Sequence, residues 1–574
     1  MQSRSEEAWG RDAPVTNSAV ANAAVTNVAG LFDAGRRSHP GRAALILPAQ
    51  HKYSHSGCTL TYEELAAEAG FWQVFWRRQG LTPGDRVFVA LPADAHLYAI
   101  LLSLLGCGLV AIMAEPWMNL STVRHTLSRL RPAAVVGGAQ ALRWHWLLPE
   151  FRNCRRFCLQ GNVAGTVRMP LAAAQASRRH SPAVFDVAAV DDEAPCLISF
   201  SSGVNGQPKA VSRNHSILHQ QYLAMRSAWP HRDGEVDRPG FPLTVLHNLC
   251  CGMTSVMPAP ESGYAGLLTH ADAGRLTQQL EQHQVSRLSA VPAFFTVLCA
   301  YLQQQQKRIA AVRSLVVTGA TVSRPLALAL RDCFPVARIV VAYGSAEAEP
   351  VCAVPVDGYL REYDGAGYLA GAPLAGAELM VCRFLPPADA SATDMIYSEC
   401  QQAETGEILI SGAHILRGYA ADPIADRENT IPRDCRKAPV WHRTGDTGYL
   451  DQQGRLWLTG RVRDQIYLDE RIIQPLVMEK QLDQIAGIVR SALVQSGGKT
   501  PRLYLHSDEP LLRLLPQIAL ILDQAGLHRV QLYRVLLMPM DARHHSKIDR
   551  VVLRTRNRRL QVLERRYWKS GHSF

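Results

Sequence analysis

Short apolar runs such as Arg86–Leu91, Ala133–Val136 and Leu315–Val317 alternate along the chain with stretches whose apolar residues recur every three to four positions, as in Tyr62–Gly70, His96–Leu105 and Leu276–His283. The first pattern suits buried strands and the second suits helices with one face turned inward. Strands that alternate with helices over such a length predict α/β layers with largely parallel sheets. Residues 1–27 are poor in large apolar groups and read as a loosely ordered lead-in. Near the other end, Asp451-Gln-Gln-Gly-Arg455 reads as a tight turn between two strands, and the charged stretch Arg461–Asp464 follows at once. The expected organisation is a large N-terminal domain of parallel-rich sheets and helices over 28–462, then a small α+β C-terminal domain over 463–574 with a core of its own.

A chain of 574 residues can bury several cores without staples. Its 47% apolar and 19% charged residues exclude a disordered or fibrous class. The 13 cysteines include no Cys-x-x-Cys pair, so they read as free thiols in a reducing cytosol. No apolar run reaches the ~18 residues that a membrane span requires, and a cytoplasmic location is expected. The formal charge of +11 is concentrated in the tail, where eight basic residues from Arg550 onward face Glu564 alone. That segment reads as a solvated terminal helix face. Without a nucleic-acid fold signature elsewhere, no nucleic-acid partner is expected.

The candidate chemistry begins at Ile198–Val211, where a strand end leads into two hydroxyl residues, two glycines and a lysine. Gly203 and Gly206 let backbone amides approach an anion, Ser201, Ser202 and Asn205 add donors, and Lys209 supplies a point charge. The Walker spacing is absent. Alone, the segment is equally a surface turn.

Further segments in order change that balance. Tyr343-Gly-Ser-Ala-Glu347, Gly406-Glu407 with Arg417-Gly-Tyr419, Thr444-Gly-Asp446, Gly460-Arg461 with Asp464, and Ser546-Lys547-Ile548 follow one another as in the adenylate-forming (AMP-binding) superfamily, which the chain resembles. The resemblance implies ATP and Mg²⁺ as cofactors and an acid-activating ligase. It implies that Tyr343, Gly344 and Ser345 lie against the nucleotide, that Glu347 helps hold the metal, and that Asp446 accepts the ribose hydroxyls. Arg461 is expected beside the nucleotide, with Arg463 at the hinge and Lys547 as the adenylation lysine. His247, Gly319 and Ala320 are expected in the acid pocket.

Two stretches, Phe241–Met253 and Met538–Ile548, resemble the olefin-pathway β-lactone synthetases and their acyl-ligase relatives. That branch implies a fatty or β-hydroxy acid rather than an amino acid. The acceptor is then CoA, an acyl carrier protein or the acid's own hydroxyl. Several positions depart from the family pattern: Val204 and Asn205 replace hydroxyl residues, Ala210 a glycine and Ala346 a threonine. They leave open a nucleotide-binding protein without catalysis. Glu470 falls where the family has a glycine beside the thiol tunnel, which implies an obstructed thiol and a second step without CoA.

Overall fold

The computed structural model describes residues 26–47, 57–115, 118–143, 146, 148–180, 184–201, 208–258, 268–385, 396–433, 440–468, 471–495, 500–541, 546–555 and 560–570. The loop residues Ser202, Gly203, Val204, Asn205 and Gly206, together with Glu470, Arg558 and Arg559, lie outside the described residues.

The predicted alternation of strands and helices is present. The apolar runs are strands Arg86–Ala90, Ala134–Gly137 and Ser314–Val317, and the amphipathic stretches lie in helices Tyr62–Arg78, Ala95–Gly106 and His270–Gln282. A seven-stranded sheet carries six parallel strands in the order Val167–Arg168, Arg155–Cys158, Ala134–Gly137, Arg86–Ala90, Val110–Met113, Pro195–Ser201. It ends in an antiparallel partner, Lys209–Asn214, whose first residue stands opposite Ser201. These two strands flank the Gly- and Ser-containing candidate segment at the edge of this sheet.

A second sheet of fifteen strands has two halves. Strands Ala43–Leu47, Thr254–Val256, Val236–Pro239, Arg287–Ala290, Ser314–Val317 and Arg338–Ser345 run parallel. From Ala348–Pro355 onward the neighbours are antiparallel, through Tyr368–Pro373, Leu456–Arg461, Val440–Leu450 and Gly406–Ser411. The expected turn at Asp451 joins two of these strands, with the Asp451 carboxylate accepting from the amides of Gln453 and Arg455. Asn27, assigned to the lead-in by its neighbours, belongs to the fold: its side chain donates to the carbonyls of Leu105 and Ala188.

Beyond Asp464 come a two-stranded hairpin, helix Pro475–Leu482 and a four-stranded sheet, Ile488–Val494, Arg502–Ser507, Arg529–Val535 and Val562–Lys569. Helix Leu511–Gln524 packs Leu514 and Ile518 with Leu503, Leu532 and Trp568 in a separate core. Helix Pro475–Leu482 is pinned to the large sheet by Lys480, which donates to the carbonyls of Gly365 and Gly367 and lies 4.4 Å from the Tyr363 ring centroid.

The basic tail is a helix only at its start, Arg550–Thr555. Val562–Lys569 is a strand, paired antiparallel with Arg529–Val535. The period is two: Trp568 is buried and Glu564 accepts from the Leu511 amide on one face, while Leu563, Arg565 and Tyr567 stand exposed on the other. Two of the tail's cations are not solvated. Arg550 makes a two-pronged pair with Glu479, at 2.8 and 2.6 Å, and reaches Asp464 at 3.4 Å, where Arg554 also pairs at 2.7 Å.

Three helices on the seven-stranded sheet meet over a buried charge cluster. Glu68, fully buried, accepts from His96 Nδ1 at 2.9 Å and from Arg178 Nε at 2.8 Å. Burial opposes the charge on both Glu68 and His96, yet their mutual contact prevails, so the carboxyl falls below 4.5 and the imidazole rises above 6.5. The signs set a window. The His96 contribution is complete below pH 6.5 and is lost as pH rises through its folded value. That of Glu68 is complete above pH 4.5 and is lost as pH falls. His96→Gln is therefore expected to cost about 1–3 kcal/mol, with the wild-type advantage greatest between those two values and shrinking on either side. Urea unfolding of both proteins across pH 4–8 measures it, and a pH-independent difference would remove the ion pair from the account.

Candidate functional site

The site lies where the rim of the seven-stranded sheet meets the reversal of direction in the larger one. Tyr343 comes from the last parallel strand, Arg338–Ser345, and Asp446 and Arg461 from the adjacent antiparallel strands Val440–Leu450 and Leu456–Arg461. Asp446 and Arg461 are register neighbours, which explains their closeness in space despite the turn between them. The Tyr343 hydroxyl donates to Asp446 Oδ2 at 2.9 Å, and Arg461 Nε lies 3.1 Å from Oδ1. Each carboxylate oxygen has one donor and retains a lone pair for another.

The backbone fixes this carboxylate. Thr444 Oγ1 donates to the Ile408 carbonyl and accepts from the Asp446 amide, while Gly445, at φ +68°, makes the intervening left-handed turn. Burial, reinforced by Asp446, holds the Tyr343 phenol well above its ordinary 10, so it remains a donor. The Asp446 charge, partly opposed by burial and aided by Asp464, raises Arg461.

Glu347 sits in the turn after Ser345, between strands Arg338–Ser345 and Ala348–Pro355, and is 9% exposed. Burial works against its charge. His442, the Ser201 hydroxyl, its own amide and the Ser345 hydroxyl outweigh that, and the carboxyl lies below its ordinary 4.5. Burial pushes His442 itself down to about 4. Tyr419 Oη adds a donor to Glu347 Oε1 at 3.3 Å. Lys209 stands 5.2 Å from the centre of the Tyr419 ring and donates to Asn429 Oδ1 at 2.9 Å. Burial lowers Lys209, although the charges of Glu347, Glu428 and Asp422 offset part of it. The segment after Ser411 laces the two sheets together: the Leu416 amide donates to the Glu347 carbonyl, and Tyr419 forms a bridge with Val211.

Among the expected residues, Ser201, Lys209, Tyr343, Ser345, Glu347, Asp446 and Arg461 therefore converge. Gly344 lies in the same strand, where a Cβ would come within 2.8 Å of the Ala348 carbonyl oxygen. Arg463 occupies the short 3₁₀ turn Val462–Asp464. Lys547 is exposed on a loop whose backbone pairs with Asp541 in both directions. Next to it, Ser546 Oγ accepts from the Ala293 amide at 3.4 Å. This sets the loop at the carboxyl end of the parallel strands. His442 and Asn429 have no motif to announce them; only their three-dimensional neighbours identify them.

Below Tyr343 lies a cavity of about 50 Å³ between helix Pro242–Cys250 and the parallel strands. His247 is among its lining residues. Gly319 and Ala320 are not among its lining residues; Thr318, just before them, is. At Gly319, φ is +90°, and the chain turns away after Thr318.

The described residues contain no cluster of three His, Cys, Asp or Glu able to hold a metal. One ionised, buried carboxylate, Glu347, fits a Mg²⁺ ion whose other ligands are phosphate oxygens and water, since magnesium is commonly held that way. No helix of the described residues is long and apolar enough to cross a membrane.

The chain is similar to several known proteins. An olefin beta-lactone synthetase from Stenotrophomonas maltophilia is 27% identical over 555 residues, covering 91% of this chain and 96% of the relative. A feruloyl-CoA synthase from an Amycolatopsis species is 26% identical over 460 residues, covering 80% and 85%. The ATP-bound structure of MatB from Rhodopseudomonas palustris matches with a TM-score of 0.73 at 19% identity, covering 92% of this chain and 99% of that one. The AMP complex of the O-succinylbenzoate coenzyme A synthetase from Bacillus subtilis matches with 0.70 at 16%, covering 93% and 99%. The family model described as AMP-binding enzyme matches residues 32–420, a span that holds the Ser201–Lys209 hairpin, Tyr343 and Glu347, and the chain belongs to that family.

Proposed function

We propose that the chain activates a non-amino carboxylic acid with ATP and then passes the acyl group to a thiol or to a hydroxyl of the acid itself. The carboxylate oxygen bonds to the α-phosphorus, the bond to the pyrophosphate oxygen breaks, and acyl-AMP and pyrophosphate result. In the second step the acceptor attacks the acyl carbon and AMP leaves with the electron pair. The observation that carries this reading is the Asp446 carboxylate, fixed between Tyr343 and Arg461 with lone pairs to spare for a pair of neighbouring hydroxyls.

In this reading Lys209 and the amides of the preceding hairpin connection hold phosphate oxygens. Glu347 holds Mg²⁺, which neutralises phosphate charge when bound. Lys547 brings a cation to the carboxylate and α-phosphate, where negative charge accumulates in the transition state. Residues 463–574 act as a mobile lid, with Arg463 at the hinge. CoA or an acyl carrier protein is the external acceptor, and the exposed Arg565 and Arg566 favour the acidic surface of such a carrier. The location is cytoplasmic.

ATP–pyrophosphate exchange across a panel of acids tests the activity; no exchange with any acid, despite ATP binding, would leave a nucleotide-binding protein without catalysis. Lys547→Ala is expected to lower exchange at least ~10²-fold while ATP affinity, measured by calorimetry, stays within a factor of about three. Unchanged exchange would remove Lys547 from the chemistry. Asp446→Asn is expected to raise KM for ATP by roughly 10- to 100-fold with a smaller fall in kcat, since charge-assisted bonds contribute more than neutral ones. If this variant discriminates against 2′-deoxy-ATP as strongly as wild type does, the ribose assignment fails.

A further inference from the structure

Between 131 and 168 the chain carries six arginines and a single acidic residue, Glu150, which pairs with Arg124 at 3.4 Å. None of the six has a carboxylate within ion-pair distance among the described residues. Elsewhere on the surface exposed arginines are matched by acids, as Arg308 is by Asp332, Arg324 by Asp364 and Arg331 by Asp357. An unmatched excess of one sign in so short a stretch leaves a field open to an anionic partner.

The topology gathers this charge at one edge. Val167–Arg168 is the outermost strand of the seven-stranded sheet, beside Arg155–Cys158. Cys158 packs with Leu142, Leu148 and Phe151, which come from the connection between Ala134–Gly137 and Arg155–Cys158, whereas Phe157 packs on the opposite face. Alternation then puts Arg156 on the face of Cys158, and the register puts Arg168, opposite Cys158, there as well. The connection that covers this face carries Arg143 and Arg152, both exposed, and Trp146, which is 65% exposed. Val167, also exposed, lies on the edge itself. Charge on an edge strand deters edge-to-edge pairing. Arg168 meets that need, which accounts neither for the arginines of the connection nor for a bulky indole among them.

We propose that this edge is a docking face for an anionic phospholipid surface. The guanidinium groups pair with lipid phosphates, and the indole beside them enters the boundary between headgroups and acyl chains, where tryptophan is enriched. A nucleic acid fits less well. Helix Ala139–Leu142 has four residues and the edge strand two, so neither fills a groove. One exposed aromatic among the described residues of the edge makes no row of platforms for a single strand to stack on. A bilayer needs neither, since its phosphates impose no register. The edge lies across the sheet from Lys209–Asn214, at the far end of the strand order, so the inference stands independently of the acid activation proposed above.

Co-sedimentation of the full chain with vesicles tests it, using phosphatidylcholine alone and phosphatidylcholine with about a quarter phosphatidylglycerol to supply a negative surface. At about 0.1 M salt the chain is expected to bind the anionic vesicles alone, and binding is expected to vanish near 1 M, where screening shortens to ~3 Å. Combined Arg143→Gln, Arg152→Gln and Arg168→Gln is expected to weaken binding about 100-fold, roughly fivefold for each arginine. Trp146→Ser is expected to weaken it about 10-fold through lost apolar burial. Both variants are expected to unfold at the wild-type temperature, because the replaced side chains are exposed. Combined Arg565→Glu and Arg566→Glu, on the other basic strand, is expected to bind as wild type does. No binding to the anionic vesicles overturns the proposal, as does binding that survives the triple arginine change or is lost in the Arg565 and Arg566 variant instead. Equally tight binding of polyuridine or polyglutamate, indifferent to Trp146→Ser, marks a general polyanion face and overturns it too.

Discussion

Burying Glu347 in ionised form is the constraint around which the junction of the two large sheets is organised. A carboxylate removed from water is tolerated only when donors replace its hydration. Here Tyr419 donates directly, Ser201 and Ser345 lie close by, and Lys209 contributes charge at longer range. Ser201 and Lys209 belong to one sheet and Glu347 to the other, so the cluster forms only when the sheets meet in one register. The backbone bond from Leu416 to the Glu347 carbonyl and the bridge between Val211 and Tyr419 hold that register from outside. Asp446 repeats the logic a short distance away with Tyr343 and Arg461.

Tyr343 connects two environments that the chain keeps chemically distinct. Its hydroxyl serves Asp446, while the residue also forms part of the wall of the cavity below. On the Asp446 side the groups are charged and paired. On the cavity side apolar walls such as Phe241, Leu288 and Val316 stand beside Asp237 and Arg287, each already engaged within the protein.

The layered α/β architecture was legible because strand and helix periodicities are local properties. The nearness of Asp446 and Arg461 was also within reach of the pattern, since the Asp451–Arg455 turn folds their two strands into a hairpin. The antiparallel half of the large sheet was not: its pairings join segments such as Tyr368–Pro373 and Leu456–Arg461, far apart in the chain. The tail misled through its charge. Basic residues mask the alternation of Glu564, Arg566 and Trp568, and only the sheet into which Trp568 packs selects a strand over a helix. Of the residues expected around an acid, His247 lines the cavity below Tyr343 and Gly319 and Ala320 do not; the other lining residues come from separate strands and helices and leave no trace as a local motif.

Arg550 carries a mechanical implication. Its guanidinium grips Glu479 and the Leu493 carbonyl and reaches Asp464, so one side chain ties helix Pro475–Leu482, the first strand of the small sheet and the turn after Arg461. Lys547 stands three residues before it. The segment that follows Lys547 is therefore fastened, through one guanidinium, to the turn that contains Arg463, so the two stretches are held by a shared clamp rather than by backbone alone.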